Sequence, residues 1–264
     1  MAQQVLTTVR NALRVLKEFR DASGDLGVSD LARRVGLGKS TVHRLVSTLT
    51  AEGFLTQDPS TGRYRLGLVL AELGAAATID KNFHAAAIGP LEELWKLTDE
   101  TVQVALLDGR QVVFVERIES PNTLRLFNEV GRRNWAHASG TGKVLLAFLA
   151  RDELNRLLDG WQLPAVTQHT ITDPEVLRED LARVRDRGYS QNINESSVGI
   201  VSVGAPIRDA SDRVIAAVSS AGPTLRLQAT AMESHAGAVL AAAEAISRNL
   251  GWRPTSGDLH GMRA

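Results

Sequence analysis

The spacing of apolar residues in the first quarter of the chain predicts three short helices. From Val28 onward, apolar side chains recur at the interval of one helical face, and Gly36 supplies a residue that can end a helix in the left-handed conformation. Ser29 is expected to cap this helix at its N-terminus. After a glycine-containing turn, a second apolar face extends over residues 42–49. A further helix over residues 8–19 is expected to pack beneath these two and complete a small core.

The helix that follows the turn is expected to present a polar face to solvent. A dense turn signal then separates two short strands, at 54–57 and 63–66. This order of helix, turn, helix and hairpin predicts a winged helix-turn-helix, although each helix alone could equally belong to another small module. The polar face of the second helix suits a DNA major groove. The arginines of the hairpin would project from one side of the hairpin towards a phosphate backbone. The candidate contacts with double-stranded DNA are Lys39, Ser40, Thr41, His43, Arg44, Ser47, Thr48, Arg63 and Arg65.

Beyond residue 66 the pattern predicts a larger α+β domain. An apolar helix at 67–80 is interpreted as a linker that also packs against a second copy of the chain, and a helix at 85–97 is expected to break or start near Gly89-Pro90. Alternating patterns predict mostly antiparallel strands at 101–107, 111–118, 123–127, 189–193, 200–207 and 213–219. Helices are predicted at 141–149, 152–158, 174–187 and 228–250, with a basic flexible loop at 131–135.

These elements divide the chain into four predicted parts. They are a DNA-binding domain at 1–66, a linker helix at 67–82, an effector-binding domain at 83–250 and a flexible tail at 251–264.

Composition and charge sharpen this division. The 264 residues carry no net charge, but residues 1–66 hold ten Lys and Arg against six Asp and Glu, whereas the remainder holds twenty against twenty-four. A basic head and an acidic body are expected if only the head meets phosphate. Because cysteine is absent, disulfides and thiolate metal sites are excluded. No apolar run has the length of a membrane span, and the N-terminal residues lack the pattern of a secretion signal. A cytoplasmic protein with no membrane partner is therefore expected.

Three groups of motifs resemble the IclR family of bacterial transcription regulators. They are KSTVHRL with the wing end GRYRLG, then HASGTGKVLLA at 137–147, and ESSVGIVSVGAPIRD with VIAAVSSAGP between 195 and 223. The resemblance implies a winged helix-turn-helix, a linker helix and a GAF-like effector-binding domain. It also implies a homodimer or homotetramer on a pseudo-palindromic operator, and a repressor is expected.

The resemblance further implies where a small-molecule effector binds. Three positions depart from the pattern of some members. Ser202 and Ala221 replace a cysteine and a second serine, and Asn192 is an amide where others carry acidic residues. The implied effector positions are Leu124, Leu126, Ser139, Gly140, Thr141, Asn192, Ile200, Ser202, Ser219 and Ala221.

The residue types at these positions suit a small carboxylate or aromatic effector. Backbone N–H groups at the start of the helix near Gly140 can hold a carboxylate, while Ser202 and Ser219 offer hydroxyls and the leucines and Ile200 offer apolar walls. The alternative is that this loop is only a capped helix start.

Two other function classes compete with an effector-controlled regulator. An enzyme using the 137–147 loop is disfavoured because His137 and Val144 depart from a P-loop, and no nucleophile elbow surrounds Ser202. The six histidines are too far apart for a metal site, and no cofactor is expected. A ligand-independent oligomeric DNA-binding protein remains the other alternative.

Overall fold

Three helices and a hairpin form the N-terminal unit. The computed structural model describes residues 6–19, 22, 24–77, 81–124, 130–227 and 229–253, and the chain separates into units at 1–81 and 82–264. Helices α1 (Thr7–Lys17), α2 (Val28–Val35) and α3 (Lys39–Ala51) precede strands β1 (Leu55–Gln57) and β2 (Tyr64–Leu66). Apolar side chains from all five elements share one core.

The start of α2 differs from the prediction. The N-cap is Gly27, in extended conformation, and Ser29 lies inside the first turn of the helix. The carboxylate of Asp30, at the third helical position, accepts a hydrogen bond from the backbone N–H of Gly27 at 3.4 Å, so the side-chain acceptor at this end of the helix is Asp30 and not Ser29. The other end is as predicted, because Gly36 ends the helix with φ of 67°.

The wing is a short antiparallel hairpin. Its register pairs Leu55 with Leu66 and Gln57 with Tyr64, and Leu26 adds an isolated bridge to Tyr64. In the turn between the strands, the carboxylate of Asp58 accepts a hydrogen bond from the backbone N–H of Ser60 at 2.7 Å.

The two following helices are α4 (Leu68–Ala77) and α5 (Lys81–Thr98). The expected break near Gly89-Pro90 is wrong, since α5 continues through Pro90. A proline leaves the carbonyl four residues earlier without its helical partner. Here that carbonyl belongs to Ala86, and it accepts a hydrogen bond from the side-chain amide of Asn249 at 2.9 Å.

The C-terminal unit is built on a six-stranded antiparallel sheet, as the prediction of mostly antiparallel strands requires. Its strands are β3 (Thr101–Asp108), β4 (Gln111–Ile118), β5 (Arg133–Trp135), β6 (Ser190–Ile193), β7 (Ile200–Arg208) and β8 (Val214–Pro223). Their order across the sheet is β5-β4-β3-β8-β7-β6.

Two predictions near the edge of the sheet need correction. The basic loop expected at 131–135 contains strand β5, which pairs with β4. Of the strand expected at 123–127, Thr123 and Leu124 form bends, and the other positions lie outside the described residues.

Helices α6 (Gly140–Ala147), α7 (Arg151–Leu158) and α8 (Pro174–Arg187) bury a core against the sheet that includes Ala105 and Ala217. The carboxylate of Asp173 caps α8, with Pro174 in its first turn as predicted. Helix α9 (Ala229–Asn249) packs on β7 and β8.

The start of the expected flexible tail is ordered. The indole N–H of Trp252 donates to the carboxylate of Asp212 at 2.7 Å, and its backbone N–H donates to the carbonyl of Ser247 at 2.9 Å. Residues 254–264 lie outside the described part of the chain. Within that part, no helix is both long and apolar enough to cross a membrane.

Candidate functional site

Helix α3 has one buried and one exposed side. Its buried stripe consists of Val42, Leu45, Val46 and Leu49. The opposite side carries all seven predicted contacts, each of them exposed: Lys39, Ser40, Thr41, His43, Arg44, Ser47 and Thr48. Among the residues that the structure describes, neither Lys39 nor Arg44 has an acidic partner. The helix therefore offers hydrogen-bonding groups and two cationic side chains on one surface, as a major-groove helix requires.

The two wing arginines lie in different environments. Arg65 is exposed on β2, opposite Thr56. The guanidinium of Arg63 instead binds the carboxylate of Asp30 at 3.0 Å and the carbonyl of Asp25 at 2.8 Å. Arg63 is thus held against the start of α2 and does not project freely beside Arg65, because Asp30 attracts it. The contact of either side chain with DNA stays a prediction.

The predicted effector loop forms the buried start of α6. Ser139 is its N-cap, and the hydroxyl of Ser139 accepts a hydrogen bond from the backbone N–H of Gly142 at 3.1 Å. A Cβ added at Gly140 would lie 2.7 Å from the Ser202 hydroxyl, so only glycine allows this approach to the sheet. The helix N-terminus therefore lies directly over β7.

Strand register brings most of the predicted effector positions to this point. Asn192 pairs with Ser202, and Ser202 pairs with Ala221, so the three lie side by side on one face of β6, β7 and β8. Ser219 and the half-buried Ile200 share that face by alternation, each two residues from a member of this row. With Ser139, Gly140 and Thr141 above them, these residues form one contiguous region, which we call the α6 site.

The two predicted leucines do not join them. Leu124 exposes 56% of its surface, and its carbonyl accepts a hydrogen bond from Arg226 at 2.9 Å. It therefore does not form the buried apolar wall that was expected. Leu126 lies outside the described residues.

Several polar atoms of the α6 site are buried without hydrogen-bond partners. The side-chain amide of Asn192 donates to the carbonyl of Ala138 at 2.7 Å, which leaves its Oδ1 as an acceptor with nothing bound to it. The hydroxyls of Thr141 and Ser219 are also buried and unpartnered. Because buried polar groups are normally hydrogen-bonded, their concentration here indicates a place for a polar ligand or ordered water.

Lys143 forms a buried ion cluster that the sequence did not reveal. Its ammonium lies 2.9 Å from the Asp180 carboxylate and 2.7 Å from the Glu195 carboxylate, with 2% of its side chain exposed. Burial raises the pKa of Glu195, and Lys143 only partly offsets this. Burial also opposes ionisation of Asp180, but the nearby Lys143 and Arg183 together outweigh it, and the pKa of Asp180 is lowered. The cluster joins α6 to α8 and to the turn between β6 and β7.

His137 is a core residue next to this loop. Its Nε2 is 3.1 Å from the carbonyl of Pro164, and its ring meets the ring of Trp161 edge-on at 5.1 Å. Burial lowers the pKa of His137, so the ring is neutral and structural. In the described part of the chain, no three acidic or histidine side chains are grouped as a metal site would require.

Both units match domains of a single family. The IclR helix-turn-helix domain matches residues 8–59, and the C-terminal domain of bacterial transcriptional regulator IclR matches residues 76–248.

Known transcriptional regulators are similar to this chain over more than nine-tenths of its length. The HTH-type transcriptional regulator XynR of Escherichia coli is 35% identical over 248 residues, which cover 94% of this chain and 98% of XynR. The repressor AllR of E. coli is 32% identical, covering 95% of this chain and 93% of AllR.

Among solved structures, an IclR homologue from Microbacterium hydrocarbonoxydans complexed with 4-hydroxybenzoate has a TM-score of 0.82 and 30% identity. The match covers 92% of this chain and 98% of the homologue. Since two domain matches and relatives over nearly the full length agree with the helix-turn-helix and the antiparallel sheet, the chain belongs to the IclR family of bacterial transcriptional regulators.

Proposed function

We propose that this protein is a sequence-specific DNA-binding transcriptional repressor of the cytoplasm whose operator binding is modulated by a small carboxylate or aromatic effector. The observation that carries the proposal is the exposed polar side of α3, opposite its buried apolar stripe. Repression is supported by the similarity to AllR, which is named a repressor. Binding of an aromatic carboxylate is supported by the 4-hydroxybenzoate complex of the homologue.

In this proposal α3 is the helix that reads DNA. The N-terminal residues of a recognition helix approach base edges most closely, which assigns base contacts to Ser40, Thr41 and Arg44. Arg65 on the wing then contacts phosphate and contributes affinity without sequence preference.

A homodimer or homotetramer would place two such helices on a pseudo-palindromic operator. Exposed apolar residues support association: Leu6, Val9 and Leu13 share one face of the first helix, and each exposes half or more of its surface. Leu68 and Leu73 of α4 are similarly exposed. Because contiguous apolar surface of this kind is usually covered, a second copy of the chain is the proposed occupant.

Effector binding at the α6 site would be transmitted through the predicted linker at 67–82. An effector can change operator affinity only if it binds the DNA-competent and incompetent forms with different strength. The linker helix is the covalent connection through which the spacing of the two DNA-binding domains would change.

Replacing Arg44 with alanine tests the DNA-binding surface. We expect Arg44→Ala to weaken binding to the operator by about 1–3 kcal/mol and to relax the base preference at one position, as measured by titration of labelled duplexes. Arg213→Ala is the matched control, because Arg213 is an exposed arginine in the turn before β8, paired with Asp209. Equal affinities for the wild type and Arg44→Ala would contradict the proposed surface.

A further inference from the structure

Gln103 has a buried side-chain amide and is not one of the residues of the α6 site defined above. It lies on β3 with 4% of its surface exposed, and its Oε1 has no hydrogen-bond partner. Gln103 pairs with Ser219, and Ser219 pairs with Gly204, so these three residues form a row across β3, β8 and β7. The side chains of such a row point to the same side of the sheet.

That side is the one covered by α6. Ala105 and Ala217, each two residues from a member of the row, share the apolar core of α6. At the end of the row, a Cβ added at Gly204 would lie 3.0 Å from the carbonyl carbon of Gly140. Neighbouring strands lie about 4.8 Å apart, so Gln103 lies two strands, or roughly 10 Å, from the point where α6 begins. Gln103 is therefore within reach of a small molecule bound at the α6 site.

The two ends of this row offer different chemistry. The first N–H groups of a helix have no partners within the helix, and the Ser139 hydroxyl takes up only that of Gly142. The N–H groups of Gly140 and Thr141 thus suit an anion such as a carboxylate. The unpartnered oxygen of Gln103 requires a donor, which a carboxylate or an alkyl chain cannot supply and a hydroxyl can.

We propose that Gln103 determines effector specificity by binding a hydroxyl group of a hydroxylated carboxylate whose carboxylate group lies at the N-terminus of α6. This inference rests on the proposed effector binding and adds the chemical class of the effector. The hydroxyl of Ser219, buried and unpartnered between the two ends, can pair with either group of the ligand. An acid without the hydroxyl group should then bind more weakly, because it would leave the buried amide oxygen of Gln103 without a partner.

Matched probes test this on the full-length wild type by calorimetry. Each hydroxy acid is compared with the unsubstituted acid and the polyol of equal chain length: glycerate with propionate and glycerol, and gluconate with hexanoate and sorbitol. We expect at least one hydroxy acid to bind ten-fold or more tightly than its unsubstituted acid, and no binding of the polyols. Equal affinity for the two acids of both sets, or binding of a polyol as tight as that of its hydroxy acid, would overturn the proposal.

Variants then test the residue itself. Gln103→Leu and Gln103→Met keep most of the volume but remove the amide, so we expect affinity for the hydroxy acid to fall about ten-fold. Affinity for the unsubstituted acid should stay the same or rise, because these variants have no amide oxygen to leave without a partner. Ser220→Ala is the control, since Ser220 is buried on the opposite face of β8. Equal losses for both acids would show a structural role and overturn the assignment.

The wild-type comparison does not depend on the folding of any variant. If the wild type binds none of the acids, the inference is wrong, and operator binding by the same sample shows whether the proposed DNA-binding function fails with it.

Discussion

The side chain of Lys143 connects three parts of the C-terminal unit: α6, α8 and the turn between β6 and β7. One buried ammonium group lies between two largely buried carboxylates, so the cluster remains stable only while the positive charge is present. Buried ion pairs add little net stability compared with apolar residues, but removal of one partner leaves buried charge uncompensated.

We expect Lys143→Met to lower the free energy of unfolding by about 3–5 kcal/mol at pH 7, measured by denaturant titration. The loss should shrink at lower pH, because Asp180 and Glu195 can then take up protons. Lys96→Met is the control, since Lys96 forms an exposed pair with Glu93, which solvent screens, and its loss should have little effect on stability. A loss for Lys143→Met no greater than that of the control would show that the cluster is not needed.

Glu195 gives a separate prediction about pH. Its pKa in the folded protein is raised above the ordinary value of 4.5, mainly by burial, so the folded state holds this proton more tightly than the unfolded state. The contribution of Glu195 to stability is therefore full below about pH 4.5 and declines as the pH rises through the folded-state pKa. Comparing unfolding at several pH values, we expect Glu195→Gln to remove this decline. An unchanged pH dependence in the variant would contradict the assignment.

The exposed side of α3, which we propose as the DNA-binding surface, could be predicted from the sequence, whereas the residues of the cluster could not. The outward face of α3 follows from the helical spacing of Val42, Leu45, Val46 and Leu49 alone. Lys143, by contrast, lies in an apolar helix, and its partner Glu195 is 52 positions further along the chain. Only the fold brings these charges together. Likewise, only the fold places Gln103 close to the α6 site.

Helix α5 shows how a contact between elements overrides a local signal. Pro90 normally ends or kinks a helix because it removes one backbone donor and leaves one carbonyl unpaired. The side-chain amide of Asn249, at the end of α9, supplies the missing hydrogen bond to the buried Ala86. The sequence around Pro90 contains no sign of this distant donor, which explains why the expected break is absent.

A double-mutant cycle tests this account of α5. Asn249→Ala should lower the free energy of unfolding by about 1–3 kcal/mol, because the Ala86 carbonyl would be left buried without a donor. In a Pro90→Ala background the helix itself provides an N–H group, so the same substitution should cost much less. Equal costs in the two backgrounds, measured by denaturant titration, would contradict the proposed role of Asn249.

Strand β5 is a second element that local sequence does not reveal. Its three residues are polar or aromatic, and Gly131 lies two positions before them, which is typical of a loop. They become a strand because β4 offers an unpaired edge, where Gln111 pairs with Trp135 and Val113 pairs with Arg133. The longer strands β3 and β4 needed no such context, since the alternating pattern predicted them almost to the residue.

For the whole molecule, the distribution of charge agrees with the division into two units. Residues 1–66 hold ten basic and six acidic side chains, whereas the rest of the chain has an acidic excess of four. Only the part that carries α3 and the wing is therefore attracted to phosphate, and its affinity for DNA should fall steeply with salt.

We propose that α3 binds an operator and that a ligand at the α6 site controls this binding. The most direct measurement is nuclease footprinting of the wild type on the DNA upstream of its own gene, with and without glycerate, gluconate and 4-hydroxybenzoate. We expect protection of two half-sites about one helical turn apart, and a change in the protein concentration that gives half-protection when one of these acids is added. Absence of sequence-specific protection would contradict the claim about α3, and a footprint that none of the acids changes would contradict the claim about control.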